Sequence, residues 1–314
     1  MPAVITWRSG QLCCQASAIL PAVRKKLSTT RPLTVSIVGA GNLGTALALT
    51  LPSAGCEVKF IAVRDSRNRR HARALARKVN ARMVELGKGK LDTDLVWIAV
   101  PDDAIAQVAK RLANAQEWKG RIAIHSSGAL TSDELAPLRK KGARVASVHP
   151  MMTFVRGSVP DMAGVAFAVE GDAVAARVAR KIVERLGGYA FPIRKQQKVL
   201  YHAFGSFASP LVIALMASLE QVAKAAGVKQ RDIKRVMLPL LSQTLRNYVH
   251  RGAASAFSGP LARGDVRTVK KHLEELKVVS EAREVYVALA KAVVKNLPVR
   301  NRNNLEQMLK SARS

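Results

Sequence analysis

The stretch LTVSIVGAGNLGTALALTL, residues 33–51, carries the clearest structural pattern in the chain. A short apolar segment runs into Gly39, Gly41 and Gly44, spaced G-x-G-x-x-G, and then into an Ala- and Leu-rich segment. Strand, glycine turn and helix in that order open a doubly wound, parallel α/β sheet of the Rossmann type. The first glycine lets the chain turn tightly, the second lets backbone approach a pyrophosphate, and the third lets helix pack on strand. The helix start then turns free N–H groups and a positive dipole end toward the phosphates. Gly39, Ala40, Gly41, Asn42, Leu43 and Gly44 are therefore the expected dinucleotide loop.

A second strand, Glu57 to Val63, follows at a suitable distance and ends in VRDSRNRR, residues 63–70. An acid at this strand end would bond the ribose 2′-hydroxyl of NAD, whereas Arg suits the 2′-phosphate of NADP. Arg64 and Arg67 are the expected holders, with Ser66 as a further donor and Arg69 and Arg70 as a solvated helix start. NADP is favoured; Asp65 is the one residue that leaves room for NAD.

The alternation continues through DLVWIAV, GRIAIHSSGAL, ARVASVHPMMTF, GVAFAVEGD and YAFPI as strands, with helices at PDDAIAQVAKRL and AVAARVARKIVERL. Val100 and Pro101, at the end of the third expected strand, belong with the cofactor loop. His125 and His149 fall at strand ends, where ligands of such sheets bind. From Gln196 on, only helical patterns survive, so the expected organisation is a tail over 1–31, a dinucleotide domain over 32–195 and an all-helical substrate and dimerisation domain over 196–314. Substrate is expected where two such domains meet. Residues 199–219 carry no formal charge, and are read as a buried central helix rather than a membrane span.

Two features of the helical half carry chemistry. Lys198 and His202 are i and i+4 at the start of the charge-free segment, where desolvation lowers a lysine pKa into the range of acid–base work. In SGPLARGD, residues 258–265, Arg263 suits a substrate carboxylate, with Asp265 fixing its guanidinium or capping the next helix.

Composition bounds the rest. The chain has 314 residues, 48% hydrophobic and 23% charged, which is globular. A net charge of +29 favours anionic partners, but aromatics are only 4% and no basic stripe interleaves with them, so nucleic acid is not expected. Cys13, Cys14 and Cys56 have no disulfide or metal spacing, as in a reduced cytoplasmic protein. Residues 1–31 lack Asp and Glu, a composition shared with transit peptides, but lack a clear signal order and read as a tail outside the fold.

Taken together, VSIVGAGNLGTAL, DLVWIAVPDDAI, HSSGAL, VHPMMTF, KVLYHAFGSFAS and SGPLARGD resemble the Rossmann-like proteins whose C-terminal part is domain of unknown function 2520. The resemblance spans Leu33 to Leu297. It implies NADP binding, kinship with pyrroline-5-carboxylate and ketopantoate reductases, and a dimer formed through the helical domain. KVLYH is similar to the K-x-x-x-N motif of β-hydroxyacid dehydrogenases, which makes Lys198 the implied proton donor and puts His202 at the Asn position. HPMM resembles the His-Pro-Met motif of prephenate dehydrogenases, which puts His149 at the substrate. The expectation is an NADP-dependent oxidoreductase acting on a small carboxylate, with a 2-oxo or hydroxy acid or a cyclic imine as reactant. Ser126 and Ser127 would line its pocket, Arg263 would hold the carboxylate, His202 would orient Lys198, and no metal is needed. A non-catalytic NADP-binding sensor and a prephenate-dehydrogenase-like enzyme are the alternatives.

Overall fold

The computed structural model describes residues 31–64 and 69–311, with the backbone alone of 4–8 and 11–15. The described residues form two compact units, divided between Ser209 and Pro210. The division falls one helix beyond the expected 195/196 boundary, because Lys198, which opens that helix, is anchored in the sheet unit.

The sheet unit contains β3 (Leu33–Val38), β4 (Cys56–Val63), β5 (Arg82–Glu85), β6 (Leu95–Ile98), β7 (Ile122–His125), β8 (Arg144–Pro150), β9 (Ala166–Gly171) and β10 (Tyr189–Pro192). Its order is β10-β9-β8-β7-β6-β3-β4-β5, parallel from β5 to β8. β9 runs antiparallel to β8, with β10 parallel to β9. Helix crossovers throughout would make every strand parallel; residues 151–165 hold no helix, and without a crossover the chain reverses. β5 was not expected either, since RMVE is a short edge strand without a clean alternation.

Helices cover both faces. α1 (Asn42–Thr50), α2 (Arg69–Lys78) and α5 (Ala173–Arg185) pack with Ile37, Leu47, Leu75, Trp97 and Ile182 on one side. α3 (Asp102–Ala115) and α4 (Ala136–Lys140) pack with Ile98, Ile105, Leu112, Trp118 and Leu138 on the other. β6 and β7 are buried on both faces, so their sequences read as unbroken apolar segments. Each fully buried Leu or Ile contributes about 1.5–3 kcal/mol.

α6 (Lys198–Ala208) closes the sheet unit. The expected single buried helix over 199–219 is corrected here. It is two helices, α6 and α7 (Pro210–Ala225), because Ser209 leaves helical geometry (φ −132°, ψ −82°) and Pro210 brings no N–H. Nor is it buried, since Val199, Leu200, Phe204, Phe207, Leu211 and Ile213 are exposed. Lys195–Ala225 is long and apolar enough to cross a membrane by length and composition, but neither helix reaches the ~20 residues of a span.

The other unit holds α7, α8 (Gln230–Ala256), α9 (Pro260–Arg263), α10 (Val266–Glu275), α11 (Ser280–Asn296) and α12 (Arg302–Ser311). Val269, Leu273, Ala290, Val294, Leu305 and Leu309 form its core. α8 carries Pro239 and is kinked at Gly252, where φ is +72°. β1 (Val4–Arg8) and β2 (Gln11–Gln15) pair only with each other, antiparallel.

Candidate functional site

β3, β6, β7 and β8 end at one edge of the sheet, and the strand order turns back at β3, which has β4 on one side and β6 on the other. Ligands of doubly wound sheets bind at this switch point. Gly39 sits there with φ +110°, its N–H donating to the Ala62 carbonyl at 2.8 Å. A Cβ on Gly39 would lie 2.2 Å from the Ala99 oxygen, and one on Gly44 would lie 1.9 Å from the Gly39 oxygen. Gly41 is different: it is exposed and a Cβ there meets nothing within 4 Å.

Gly41 caps α1 without a side-chain acceptor, and the first helical bond is from Thr45 N–H to the Gly41 carbonyl at 2.8 Å. The amides of Asn42, Leu43 and Gly44 therefore stand without helical partners beside open space, with no acid in the first turn. Free donors, a positive dipole end and a cradle without side chains fit a dinucleotide pyrophosphate. Ala40 is buried beneath the loop, Leu43 is half-buried, and exposed Asn42 donates to the Phe154 carbonyl at 2.9 Å, tying the loop to the segment after HPMM. Val100 faces Gly39, with Cγ1 3.2 Å from a Cβ placed there, and exposed Pro101 opens α3.

Arg64 is exposed directly after β4, where a 2′-phosphate holder belongs. Ser66 and Arg67 lie outside the described residues. Arg69 is not the solvated helix start expected: it is ion-paired with Glu85, and its buried Nε has no partner among the described residues. Bonds from Lys88 and the charge of Arg69 hold the Glu85 carboxyl below the usual range.

Beyond β7 and β8 the structure brings together Lys198, His149, His202, Ser126 and Ser127. Lys198 is fully buried. Its Nζ donates to the Ser127 carbonyl at 3.0 Å and to Ser147 Oγ at 2.7 Å. The sequence places this ammonium at a helix mouth oriented by His202; instead it is sealed, and no bond joins the two. Burial pushes its pKa down, with Glu170 and Asp102 opposing. Both acids have other donors: Glu170 accepts from Ser132 N–H (2.6 Å) and Oγ (2.8 Å), and Asp102 from Ser127 Oγ (2.7 Å).

The two serines hold the site rather than line it with free hydroxyls. Ser126 Oγ accepts from the Trp97 indole at 2.8 Å, and Ser127 Oγ accepts from the Ala129 and Leu130 amides. His125 is likewise structural. Its Nε2 bonds the Thr131 carbonyl at 2.9 Å, its Nδ1 accepts from Ser127 N–H at 3.1 Å, and burial pushes it down to about 4. A histidine at a strand end has served here to pin a loop.

His149 and exposed His202 are different. Their rings meet edge to face with centroids 5.9 Å apart, and both close on Gly128, where a Cβ would lie 2.5 Å from His202 Cδ2 and 2.8 Å from His149 Nε2. Burial first, then the charges of Lys198 and His202, push His149 down to about 4, so it is neutral near pH 7. Gly205 of α6 passes Met151 closely enough that a Cβ would reach its sulfur at 2.9 Å.

Two participants were missed. In sequence Ser147 is a small polar residue inside a strand, and its position two before His149 is the signal that marks it. Tyr201 looked like part of the apolar run, yet it adjoins His202 and its hydroxyl lies 3.2 Å from His149 Nδ1. Arg263 and Asp265 belong to the helical unit. Asp265 does not clamp Arg263: its carboxylate accepts from Thr268 N–H (3.0 Å) and Oγ1 (2.7 Å), capping α10.

Residues 20–150 match the Rossmann-like domain and residues 165–293 match the domain of unknown function DUF2520. The protein is thus a Rossmann-like domain joined to a DUF2520 domain. Among solved structures, a Bacteroides fragilis protein assigned as an NADP oxidoreductase superposes with a TM-score of 0.70 at 22% identity, covering 83% of this chain and 98% of that one. Protein TM1727 of Thermotoga maritima gives 0.64 at 23% identity, covering 89% and 100%. An imine reductase of Myxococcus stipitatus in complex with NADP+ gives 0.59 at 15% identity, covering 88% and 99%. At such identities the likeness establishes the fold. No curated protein sequence matches.

Proposed function

We propose that the protein is an NADP-dependent oxidoreductase that moves hydride between the nicotinamide and a carbon of a small carboxylate substrate. The observation that carries this reading is the glycine cradle at the switch point, on the same sheet edge as the Lys198, His149 and His202 cluster. NADP supplies the hydride chemistry; the Gly39–Gly44 loop would hold its pyrophosphate and Arg64 its 2′-phosphate. Similar folds that bind NADP+ or NADPH, including an Aspergillus terreus reductive aminase in complex with NADPH, support the choice.

Lys198 is read as a fixed positive charge that favours negative charge developing on a substrate oxygen, since its sealed ammonium is not placed for direct contact. His149 and His202 form the accessible edge. Substrates to test are 2-oxo acids, with ketopantoate among them, and cyclic imines; NADPH oxidation against such a panel tests the activity.

Cofactor choice has its own test. NADPH should bind at least about tenfold more tightly than NADH, the worth of one good ionic contact, and Arg64→Ala should erase most of the difference. Calorimetry reads both, and equal affinities in the wild type would reject the role of Arg64.

We also read the protein as a cytoplasmic homodimer. Cys56 is a buried free thiol, pushed up to about 11 by burial, which suits a reducing setting. Val236, Leu240, Leu245, Tyr248 and Val249 are exposed on α8, as are Ile213 and Leu211 on α7, more apolar side chains than soluble monomers commonly leave in water. Light scattering should give about twice the 33.9 kDa of one chain. A monomer at micromolar concentrations contradicts this.

A further inference from the structure

We infer that Tyr201 is a positioning residue that holds His149 in the Nε2–H tautomer, so that the site offers a neutral N–H donor to a substrate carbonyl oxygen. The inference rests on the oxidoreductase reading and narrows it to reduction of a carbonyl.

Tyr201 is half-buried, its ring edge-on to His149 (centroids 5.5 Å) and to Phe191 (5.9 Å). Its hydroxyl has one partner among the described residues, His149 Nδ1 at 3.2 Å. Among the described residues, Nδ1 is the one acceptor this phenol O–H meets, and it accepts only when bare; with the proton on Nδ1, the hydroxyl would have no acceptor among those residues. A neutral imidazole with Nδ1 bare carries its proton on Nε2. That nitrogen has no hydrogen-bond partner among the described residues and lies against Gly128, where a Cβ would come within 2.8 Å of it. Glycine at 128 therefore keeps the donor's surroundings free of a side chain.

The protonation states agree with this arrangement. Burial raises Tyr201 to about 12, so it stays a phenol, and holds His149 at about 4, so it stays uncharged over the physiological range. A neutral imidazole N–H polarises a carbonyl by donation alone and leaves the positive charge to buried Lys198. A donor in this position suits a carbonyl oxygen and opposes the N–H of a protonated imine.

The experiment is nitrogen NMR of the imidazoles in the full-length protein, with His149→Gln assigning the signal among the six histidines. At neutral pH the wild type should show a protonated Nε2 and a bare Nδ1 for His149. Tyr201→Phe should mix the two tautomers and lower kcat on a 2-oxo acid about tenfold, with KM and NADPH affinity little changed. A proton on Nδ1 in the wild type, or unchanged nitrogen signals in Tyr201→Phe, overturns the inference. If no substrate is reduced even by the wild type, the oxidoreductase reading fails, while the nitrogen signals still decide the role of Tyr201.

Discussion

Gly44→Ala should destabilise the protein by about 3 kcal/mol and take NADPH binding with it, the loss expected of overpacking against atoms that cannot yield. The added Cβ would stand 1.9 Å from the Gly39 oxygen and 2.9 Å from its carbonyl carbon. Both are backbone atoms of the turn, and Gly39 is itself pinned by its bond to Ala62 and by close approach to Ala99. Relief would require α1 to move off β3. Gly41→Ala is the matched control, since its Cβ meets nothing within 4 Å and should leave the melting temperature nearly unchanged. Its methyl would instead occupy the approach of the pyrophosphate and weaken NADPH about tenfold or more, one contact's worth. Thermal melts and calorimetry separate the two, and equal behaviour of the variants would contradict the cradle.

The second large effect concerns Lys198. Lys198→Met should cut turnover about a hundredfold, the scale of losing one preorganised charge, while NADPH affinity holds. Stability should change by no more than about 1 kcal/mol, because replacing a buried ion with an apolar side chain of similar length is often neutral or stabilising. The lowered pKa points the same way, since burial, opposed by Glu170 and Asp102, makes holding this cation costly to the fold. Ser127 O keeps the Ser147 hydroxyl at 3.2 Å, and both acids keep their own donors. A large loss of stability with intact specific activity would make Lys198 structural. Undiminished turnover would remove it from the mechanism altogether.

The contrast between Gly44 and Lys198 also marks what could be read before the structure. The glycines have one physical use at that spacing, after an apolar strand and before a helix, so loop, sheet type and switch point followed from the residues themselves. Lys198 was picked out by type and spacing, but its burial was not legible. It closes the basic stretch RKQQK, and only the folded β7 and β8 ends supply the Ser127 carbonyl and Ser147 hydroxyl that receive it. The same holds for His125 and His149. Both sit at strand ends, yet one is locked at both nitrogens and the other leaves Nε2 unbonded, a distinction made by neighbours far along the chain. The uncharged stretch 199–219 misled because hydropathy alone cannot tell an apolar face turned inward from one left uncovered by this chain.

The proposed activity is hydride transfer from NADPH. Its most direct measurement uses NADPH carrying deuterium on the transferable position of the nicotinamide, incubated with the protein and each 2-oxo acid and cyclic imine in turn. Mass spectrometry of the products should find one deuterium bonded to the former carbonyl carbon of a 2-oxo acid, with about a hundredth as much at the same short time when Lys198→Met replaces the wild type and none with Gly44→Ala. NADPH that binds tightly yet delivers deuterium to no member of the panel would rule out hydride transfer to these substrates and leave a cofactor-binding protein without this chemistry.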